Sequence, residues 1–294
     1  MKYTFVLNPR AGVGERKKKM ETLIRHYFNA TEHQYELVCT RAAGDATQIA
    51  RESVARGSDI VVAVGGDGTV NETASGLLHS EGRLGIVPGG SGNGVARSFR
   101  IPLNQEESIR FLSRPQSRFV DVGMVNGRCF VGVCGTGYDA LVGRKFQEFG
   151  VRGPLPYFLI GAKEFFQYKS CPYILTIDGK EYSRNALIIA IANTREYGNG
   201  AIIAPTADPQ DGLLDVCLID SASKTKVLKM LPMLFNGTIN KSPHYFHWRG
   251  AEIRVKSAGD EIYFHRDGEP DKNISELHIH IDKGALQICA PPVE

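Results

Sequence analysis

Two glycine-rich turns are the places where this chain is best equipped to hold phosphate. The run Gly-Gly-Asp-Gly-Thr at 65–69 follows an apolar, strand-like segment, and the run Pro-Gly-Gly-Ser-Gly-Asn-Gly at 88–94 follows the next one. Glycine has no Cβ, so backbone N–H groups can approach phosphate oxygens closely, and a helix that starts there adds positive potential. Asp67 supplies a carboxylate that can hold Mg²⁺. Either turn alone could be an ordinary strand-to-helix connection, but two in tandem indicate a phosphate site.

Neither turn belongs to the familiar phosphate-binding or nucleophile motifs. No segment has the lysine that follows the last glycine of a Walker A loop. In the segment 12–17, Lys17 stands where a dinucleotide fingerprint has its third glycine. Asn93 replaces the closing glycine of a hydrolase nucleophile elbow. The sequence therefore argues against all three classes.

The first ~120 residues alternate strand-like and helix-like segments, which predicts parallel strands with crossover helices. In such α/β sheets ligands bind at the carboxyl ends of the strands, and both glycine-rich turns lie there. Strands are expected at 3–7, 35–39, 60–64 and 84–87, and helices at 15–28, 46–56, 71–79, from about 95, and around 105–112.

From about residue 119 short alternating segments dominate and predict an antiparallel, sandwich-like β domain. The pairs Asn126-Gly127, Asp178-Gly179 and Asp267-Gly268 are typical of tight hairpin turns. A last strand at 285–289 could return to the first domain, and the sequence leaves this open. The other strands are expected at 119–122, 129–133, 173–177, 186–192, 214–219, 251–256, 262–265 and 277–281, with helical patterns at 157–167 and 223–235.

Composition indicates a globular protein, with 42% hydrophobic and 23% charged residues. A net charge of +3 is too small to indicate a nucleic-acid partner. No apolar run is long enough to span a membrane, and the first residues resemble a strand rather than a signal peptide. The six cysteines contain no Cys-x-x-Cys pair, so we expect buried, reduced thiols and a cytoplasmic location.

Five motifs, taken in order, resemble the diacylglycerol kinase catalytic-domain superfamily, in its soluble bacterial lipid kinase branch, which is related to sphingosine kinases. They lie at 8–12, 65–72, 88–97, 211–215 and 267–269. The resemblance implies an α/β nucleotide-binding domain at 1–122 with an NAD kinase/phosphofructokinase-like parallel sheet. The tail at about 284–294 is a candidate for a segment that returns to this domain. It also implies a β-rich lipid-substrate domain at 123–283, with the active-site cleft between the two domains.

The reaction implied by the resemblance is transfer of the ATP γ-phosphoryl group to a lipid hydroxyl with Mg²⁺, at a membrane surface. The phosphate cradle is then expected at Gly65, Gly66 and Gly68, with Thr69 and Ser91 as hydroxyl donors. Asp67 is a Mg²⁺ ligand or part of the base apparatus, unless it only caps the helix that follows. Further nucleotide-site candidates are Asn8, Gly12, Thr40, Gly90 and Asn93, together with Asn71 and Glu72, which could instead be ordinary helix-start residues.

The second half contributes carboxylates. Asp267 is the first candidate for the base that takes the hydroxyl proton, and Glu269 the second, although Asp-Gly alone is only a turn signal. In similar bacterial kinases a Mg²⁺ site lies in an acidic turn that corresponds to residues 208–213 here. The resemblance therefore assigns Asp211 and the carbonyls of Asp208 and Leu213 as ligands of the ion. A plain solvated turn is the alternative.

Two segments could contact lipid. The apolar residues at 154–161 and 165–166 are candidates for an acyl-chain wall or for ordinary helix packing. Lys224, Lys226 and Lys229 lie beside apolar residues and could rest on an anionic membrane, or form a solvated face over a core stripe.

The chain departs from the family at Gly94, which replaces an aspartate, and at Ala11, which replaces a common serine. These departures keep the lipid open between a diacylglycerol-like and a sphingoid one. An NAD kinase-like enzyme and a non-catalytic nucleotide-binding regulator are the alternative functions. A homodimer is compatible with the sequence, which does not determine the oligomeric state.

Overall fold

The computed structural model describes residues 1–8, 15–28, 33–149, 161, 163–165, 167–168, 170–221, 223–257, 262–271 and 274–292. The predicted nucleotide-site residue Gly12, the segment 154–160 of the predicted acyl-chain wall, and Phe166 of that wall lie outside these ranges. The chain divides into two units, Met1–Val120 with Lys283–Glu294, and Asp121–Asp282.

The first unit contains a parallel sheet with helices, as the alternating pattern predicts. Its elements are β1 (Lys2–Leu7), α1 (Glu15–Phe28), β2 (Gln34–Cys39), α2 (Asp45–Ala55), β3 (Ile60–Gly65), α3 (Asp67–Leu77), β4 (Arg83–Pro88), α4 (Gly94–Ser98) and α5 (Gln105–Leu112). The strands are ordered β2-β1-β3-β4, and the end of β17 (Glu276–Cys289) pairs in parallel with β4. Every residue of β3 is buried, as expected for a parallel strand covered on both faces.

Close packing of α2 on α3 fixes the helix that follows the first glycine-rich turn. A Cβ on Gly76 of α3 would lie 2.4 Å from the Thr47 carbonyl oxygen and 2.7 Å from Ala50 Cβ. Only glycine allows this approach, which holds α3 against its neighbour along its length.

The second unit is built from antiparallel strands. Its elements are the greater part of β5 (Ser117–Val125), β6 (Arg128–Phe130), β7 (Val133–Gly137), α6 (Tyr138–Phe149), β8 (Cys171–Ile177), β9 (Lys180–Ala192), β10 (Glu196–Gly198), β11 (Ala201–Ile202), β12 (Leu214–Asp220), α7 (Lys224–Phe235), a 3-10 turn (Ile239–Lys241), β13 (Tyr245–Gly250), β14 (Glu252–Ser257), β15 (Phe264–Arg266), β16 (Glu269–Pro270) and the start of β17. Successive residues of β9 and β12 enter two different apolar cores: Ile189 and Val216 enter one, while Ala190 and Cys217 enter the other together with Val227 of α7. This period of two is the pattern of a strand buried on both faces.

The three predicted hairpin turns are confirmed. Asn126-Gly127, Asp178-Gly179 and Asp267-Gly268 each connect two paired antiparallel strands, with both φ angles positive: 48° and 77°, 44° and 81°, and 49° and 82°. Positive φ at both central residues is the geometry of the type I′ turn, which suits the twist of paired strands.

All six cysteines lie in the described part of the chain and are free thiols. Burial raises the pKa of the Cys134 and Cys217 thiols, and it raises the pKa of Cys289 to about 12, so these side chains stay protonated at neutral pH. None of the described helices is long and apolar enough to cross a membrane.

Candidate phosphate-binding site

The two glycine-rich turns lie side by side at the carboxyl edge of the parallel sheet. β3 and β4 pair with Gly65 opposite Pro88, and the Gly89 N–H donates to the Gly65 carbonyl at 2.8 Å. The two backbones are in direct contact, because a Cβ on Gly90 would lie only 2.7 Å from Gly66 Cα. Glycine is therefore required where the turns meet.

Within the part of the chain that the structure describes, the N–H groups of Gly66, Ser91 and Gly92 have no protein acceptor. Asn93 shapes this second turn: its Nδ2 donates to the Gly90 carbonyl at 2.9 Å, and its Oδ1 accepts from the Gly90 N–H at 2.9 Å. Sequence analysis assigns Asn93 and Gly90 to the nucleotide, whereas the structure shows them bonded to each other. The N–H groups that remain for a ligand are those of Ser91 and Gly92, inside the loop that the Asn93 amide closes, and that of Gly66 in the first turn.

Asp67 lies between the two turns as the first residue of α3. Its Oδ1 accepts from the Val95 N–H of α4 at 3.2 Å, and a Cβ on Gly92 would lie 3.3 Å from its Oδ2. The N-cap of α3 is Gly66, so the interpretation of Asp67 as the cap of its own helix is wrong. Its carboxylate instead joins α3 to the start of α4, at the edge where the turns meet.

The ends of β1 and β2 bring further predicted residues to this edge. Asn8 follows β1, and its Nδ2 donates to Thr69 Oγ1 at 3.2 Å. Thr69 packs against the first turn so closely that a Cβ on Gly65 would lie 2.6 Å from its Oγ1. Thr40 follows β2 and donates its N–H to the Leu7 carbonyl at 2.9 Å. Four neighbouring strands therefore end in predicted site residues.

Glu72 joins two helices. Its Oε1 accepts from the Gly44 N–H at 2.8 Å and its Oε2 from the Ala46 N–H at 3.3 Å, at the start of α2. A carboxylate that accepts N–H groups at a helix start is favourable there. Asn71 is buried on the same helix. Sequence analysis did not anticipate that Glu72 stabilises α2 from the neighbouring helix.

In the second unit, Asp267 occupies the first central position of the hairpin turn between β15 and β16. Its Oδ1 accepts from the N–H groups of Gly132 at 2.7 Å and Val133 at 3.0 Å, and its Oδ2 accepts from Val131 at 2.9 Å. One carboxylate thus binds three consecutive backbone donors. Glu269, the other predicted base, begins β16 and is exposed.

Behind this turn lies a buried polar cluster that sequence analysis missed. His265 Nε2 lies 2.8 Å from Asp139 Oδ2 and 3.0 Å from the Tyr197 hydroxyl. Its Nδ1 accepts from the Gly268 N–H at 3.4 Å, so this network places the ring proton on Nε2. A Cβ on Gly135 would lie 2.5 Å from both Asp139 Oδ2 and His265 Nε2, so the strand carries glycine there. The only sequence hint is a histidine two residues before Asp267.

The predicted metal-binding turn at 208–213 is held by protein groups. Asp121 Oδ2 accepts from the Gly212 N–H at 2.7 Å. Asp211 accepts from the Leu213 N–H at 3.0 Å through Oδ1, and its Oδ2 contacts the Arg249 guanidinium. Arg249 therefore already supplies a cation to the carboxylate that the resemblance assigns to Mg²⁺.

Comparison with known proteins identifies the family. Residues 2–125 match the model of the diacylglycerol kinase catalytic domain, and residues 132–290 match the YegS C-terminal NAD kinase beta sandwich-like domain. A diacylglycerol kinase of Mycobacterium tuberculosis is 31% identical over 270 residues, which are 89% of this chain and 87% of that protein. The chain belongs to the diacylglycerol kinase and YegS lipid kinase family.

Other relatives agree with this assignment. A diacylglycerol kinase of Bacillus subtilis is 27% identical, with 90% of this chain and 88% of that protein covered. The crystal structure of a diacylglycerol kinase from Bacillus anthracis str. Sterne has the same fold, with a TM-score of 0.74 at 23% identity and with 99% of this chain and 97% of that chain covered. As a member of this family the chain is an enzyme of the lipid kinase class.

For a lipid kinase, the two candidate Mg²⁺ positions differ in how well their residues fit the ion. No group of three or more metal-ligating side chains occurs among the residues that the structure describes. Mg²⁺ in kinases is commonly held by one or two carboxylates together with substrate phosphates and water, and Asp67 beside the N–H groups of the turns fits this arrangement. At the acidic turn, by contrast, Arg249 must leave Asp211 before an ion can bind, so the residues of that turn do not fit Mg²⁺ as they are arranged here.

The glycine contact generates a testable expectation for nucleotide binding. Gly90→Ala should weaken Mg·ATP binding by about 5- to 150-fold, because the added Cβ forces the two turns apart by a substantial fraction of an ångström and costs about 1–3 kcal/mol. Isothermal titration calorimetry measures the affinity. Gly143→Ala is the matched control, because its Cβ would meet its nearest neighbour, Pro270 Cγ, at an ordinary 3.7 Å. Equal affinity in Gly90→Ala and wild type would show that the turns do not hold the nucleotide.

The three N–H bonds of Asp267 generate a second expectation. Asp267→Asn puts an NH₂ group against a backbone N–H, so the free energy of unfolding of the second unit should fall by about 1–3 kcal/mol. Urea titration followed by the fluorescence of Trp248, the single tryptophan and a residue of the second unit, reports this quantity. Glu269→Gln, at an exposed position of the same hairpin, should change it by less than about 0.5 kcal/mol. An Asp267→Asn protein as stable as wild type would contradict the bonding scheme.

Proposed function

We propose that this protein transfers the γ-phosphoryl group of Mg·ATP to the hydroxyl of a lipid, of the diacylglycerol or sphingoid type. The observation that carries the proposal is the backbone contact of the two glycine-rich turns, with Asp67 between them, at the carboxyl edge of a parallel sheet. The names of the relatives support a lipid as the acceptor. On this basis the first unit is the nucleotide-binding domain and the second unit is the lipid-substrate domain.

The phosphates of the donor bind to backbone N–H groups in this proposal. The N–H groups of Gly66, Ser91 and Gly92 are available, and α3 begins at the same point with its positive end toward the edge of the sheet. The Gly68 N–H in the first turn of α3 and the hydroxyls of Thr69 and Ser91 add donors. Phosphoryl transfer needs positioning and charge stabilisation more than covalent help from the protein, and these groups supply both.

Asp67 places a negative charge beside the proposed phosphate site, which by itself would repel the nucleotide. The repulsion disappears when a cation lies between the carboxylate and the phosphates. Mg²⁺ would be held there by Asp67 and would neutralise the charge that develops on the transferred group. The bond from the Val95 N–H keeps one oxygen of Asp67 fixed, so its carboxylate orientation does not depend on the ligand.

The hydroxyl of the lipid must lose its proton as the oxygen–phosphorus bond forms. We assign the acceptance of this proton to the carboxylates of the Asp267 turn, with Asp267 first and Glu269 second. The three N–H donors to Asp267 fix the position of its carboxylate, and His265 fixes the turn through the Gly268 N–H. A base that is held in this way loses little entropy when the substrate arrives.

A lipid acceptor lies in a bilayer, so the enzyme is expected to work at the surface of a membrane. The corresponding location is the cytoplasm, with peripheral association of the enzyme with the membrane.

Transfer of labelled γ-phosphate from Mg·ATP to a panel of micellar lipids, with NAD as a parallel acceptor, tests the function. We expect label in one lipid class. Asp67→Asn should lower the rate at least about 100-fold while the fold remains intact, because asparagine keeps an acceptor for Val95 but loses the charge. Asp59→Asn is the matched control, an exposed carboxylate just before β3, at the opposite edge of the same sheet, that binds the Lys2 N–H at 2.6 Å.

Each other outcome contradicts a definite part of the proposal. Label in NAD alone would make the protein an NAD kinase-like enzyme. ATP binding without label in any acceptor would indicate a nucleotide-binding regulator. Wild-type turnover in Asp67→Asn would remove Asp67 from the mechanism.

A further inference from the structure

Helix α7 carries apolar side chains on two different sides. Val227 and Met230 are buried in the core of the second unit. Leu228, Leu231 and Phe235 are 45%, 44% and 54% exposed. Their spacing of three and four residues places them in one stripe along the helix. Three of the seven large hydrophobic residues that are exposed in the described part of the chain therefore belong to this stripe.

The fold does not account for this outer stripe. A helix on the surface of a globular protein normally has one apolar face toward the core and a polar face toward water. In α7 the core-facing side is complete, because Met233 and Leu234 also pack against the core beside Val227 and Met230. The exposed leucines and Phe235 add nothing to that packing, and an apolar stripe in water favours association with another surface.

The charges of α7 are all positive. The helix contains Lys224, Lys226 and Lys229 and has no acidic residue. Lys226 and Lys229 are exposed, and so is Lys241 at the end of the 3-10 turn that follows the helix. Lysines in the first turns of a helix oppose the helix dipole, so these positions do not serve the stability of α7 itself. Lys224 lies four residues before Leu228, on the side of the stripe. The exposed Lys229 flanks the stripe about a quarter-turn or more around the helix, whereas Lys226 lies on the far side.

We propose that the exposed face of α7, formed by Leu228, Leu231 and Phe235 and flanked by Lys224 and Lys229, docks on the surface of an anionic lipid bilayer. Exposed leucine and phenylalanine side chains enter the boundary between headgroups and acyl chains, and lysines pair with the anionic headgroups. A second copy of the chain fits this face less well, because a twofold contact would bring like-charged lysines of the two copies together. The inference rests on the proposed function, which requires the enzyme to reach a lipid in a membrane.

Co-sedimentation with vesicles tests the docking face directly. The probes are vesicles of phosphatidylglycerol and phosphatidylcholine in equal parts and vesicles of phosphatidylcholine alone. Wild type should sediment with the anionic vesicles. Leu228→Ser combined with Leu231→Ser should lower the partition coefficient at least about tenfold, because two inserted side chains are lost. Lys229→Glu should lower it at least about fivefold on the anionic vesicles, because each lysine near such a surface strengthens binding about fivefold, whereas Lys226→Glu, on the far side of the helix, should lower it less.

Matched controls separate this face from a general effect of charge or exposed apolar surface. Leu103→Ser removes another exposed leucine, which is 39% exposed. Lys180→Glu combined with Lys256→Glu reverses two exposed lysines on β9 and β14. Both controls should sediment like wild type. All substituted residues are exposed, and an unchanged thermal midpoint verifies that each variant is folded.

Activity measurements distinguish a failure of this inference from a failure of the proposed function. If both are right, the α7 variants phosphorylate a short-chain, monomerically dissolved diacylglycerol at the wild-type rate and lose activity only on diacylglycerol in anionic vesicles. If wild type phosphorylates no lipid, the proposed function is wrong, while the sedimentation result still decides the docking face.

Three outcomes would overturn the docking proposal. Wild type that remains in the supernatant with anionic vesicles would do so, as would α7 variants that sediment like wild type. A dimer of wild type that the Leu228→Ser/Leu231→Ser variant converts to monomer, with vesicle binding unchanged, would show that the face joins two copies of the chain.

Discussion

The backbone contact between the two glycine-rich turns is the constraint on which the candidate site depends. Adjacent strands lie about 4.8 Å apart, so the turns that leave β3 and β4 have almost no room between them. The Gly66 and Gly90 backbones fill that room, with a Cβ on Gly90 only 2.7 Å from Gly66 Cα. Side chains are excluded there, and the edge of the sheet presents peptide groups instead. The chemistry of the site follows from this choice, since peptide N–H groups bind anions.

Two carboxylates, those of Asp67 and Glu72, connect the helices around this contact. Asp67 lies between the turns and binds the start of α4, and Glu72, one and a half turns further along α3, binds the start of α2. Three helices are thus tied to one another by carboxylates at their positive ends. Both oxygens of Glu72 bind the start of α2, whereas Asp67 lies between the two turns, where under the proposed function its charge requires a cation when a nucleotide is bound.

The second unit uses a carboxylate for shape as well. Asp267 gathers three successive N–H groups from 131–133, and the hairpin that presents it is supported by His265 and Asp139. A carboxylate with several N–H donors is rigid, which suits the role proposed for Asp267 toward the hydroxyl of the lipid. The acidic turn at 208–213 follows the same principle, with Arg249 and Asp121 as its partners.

The sequence predicts correctly the turns and helices whose geometry depends on neighbouring residues in the chain. The pairs Asn-Gly and Asp-Gly marked all three type I′ hairpins, because these residues tolerate positive φ, and the helices at 15–28 and 105–112 begin and end where the pattern predicts. The sequence pattern predicts that this helix starts at Asn71, whereas α3 starts at Asp67. The prediction is wrong because Gly66, rather than a polar side chain, caps the helix, and because the turn glycine Gly68 lies inside it. The helix cap by Glu72 and the Asp139–His265 pair, 126 residues apart, depend on tertiary packing that a sequence does not display.

Amide hydrogen exchange with and without Mg²⁺ and a non-hydrolysable ATP analogue tests the central claim most directly, because it reads the N–H groups of the turns themselves. We expect binding to slow exchange at 66–70 and 91–95, while the remote hairpin at 178–179, in the other unit, exchanges as before. If calorimetry shows the analogue bound and exchange in both turns is unchanged, the two glycine-rich turns do not hold the nucleotide.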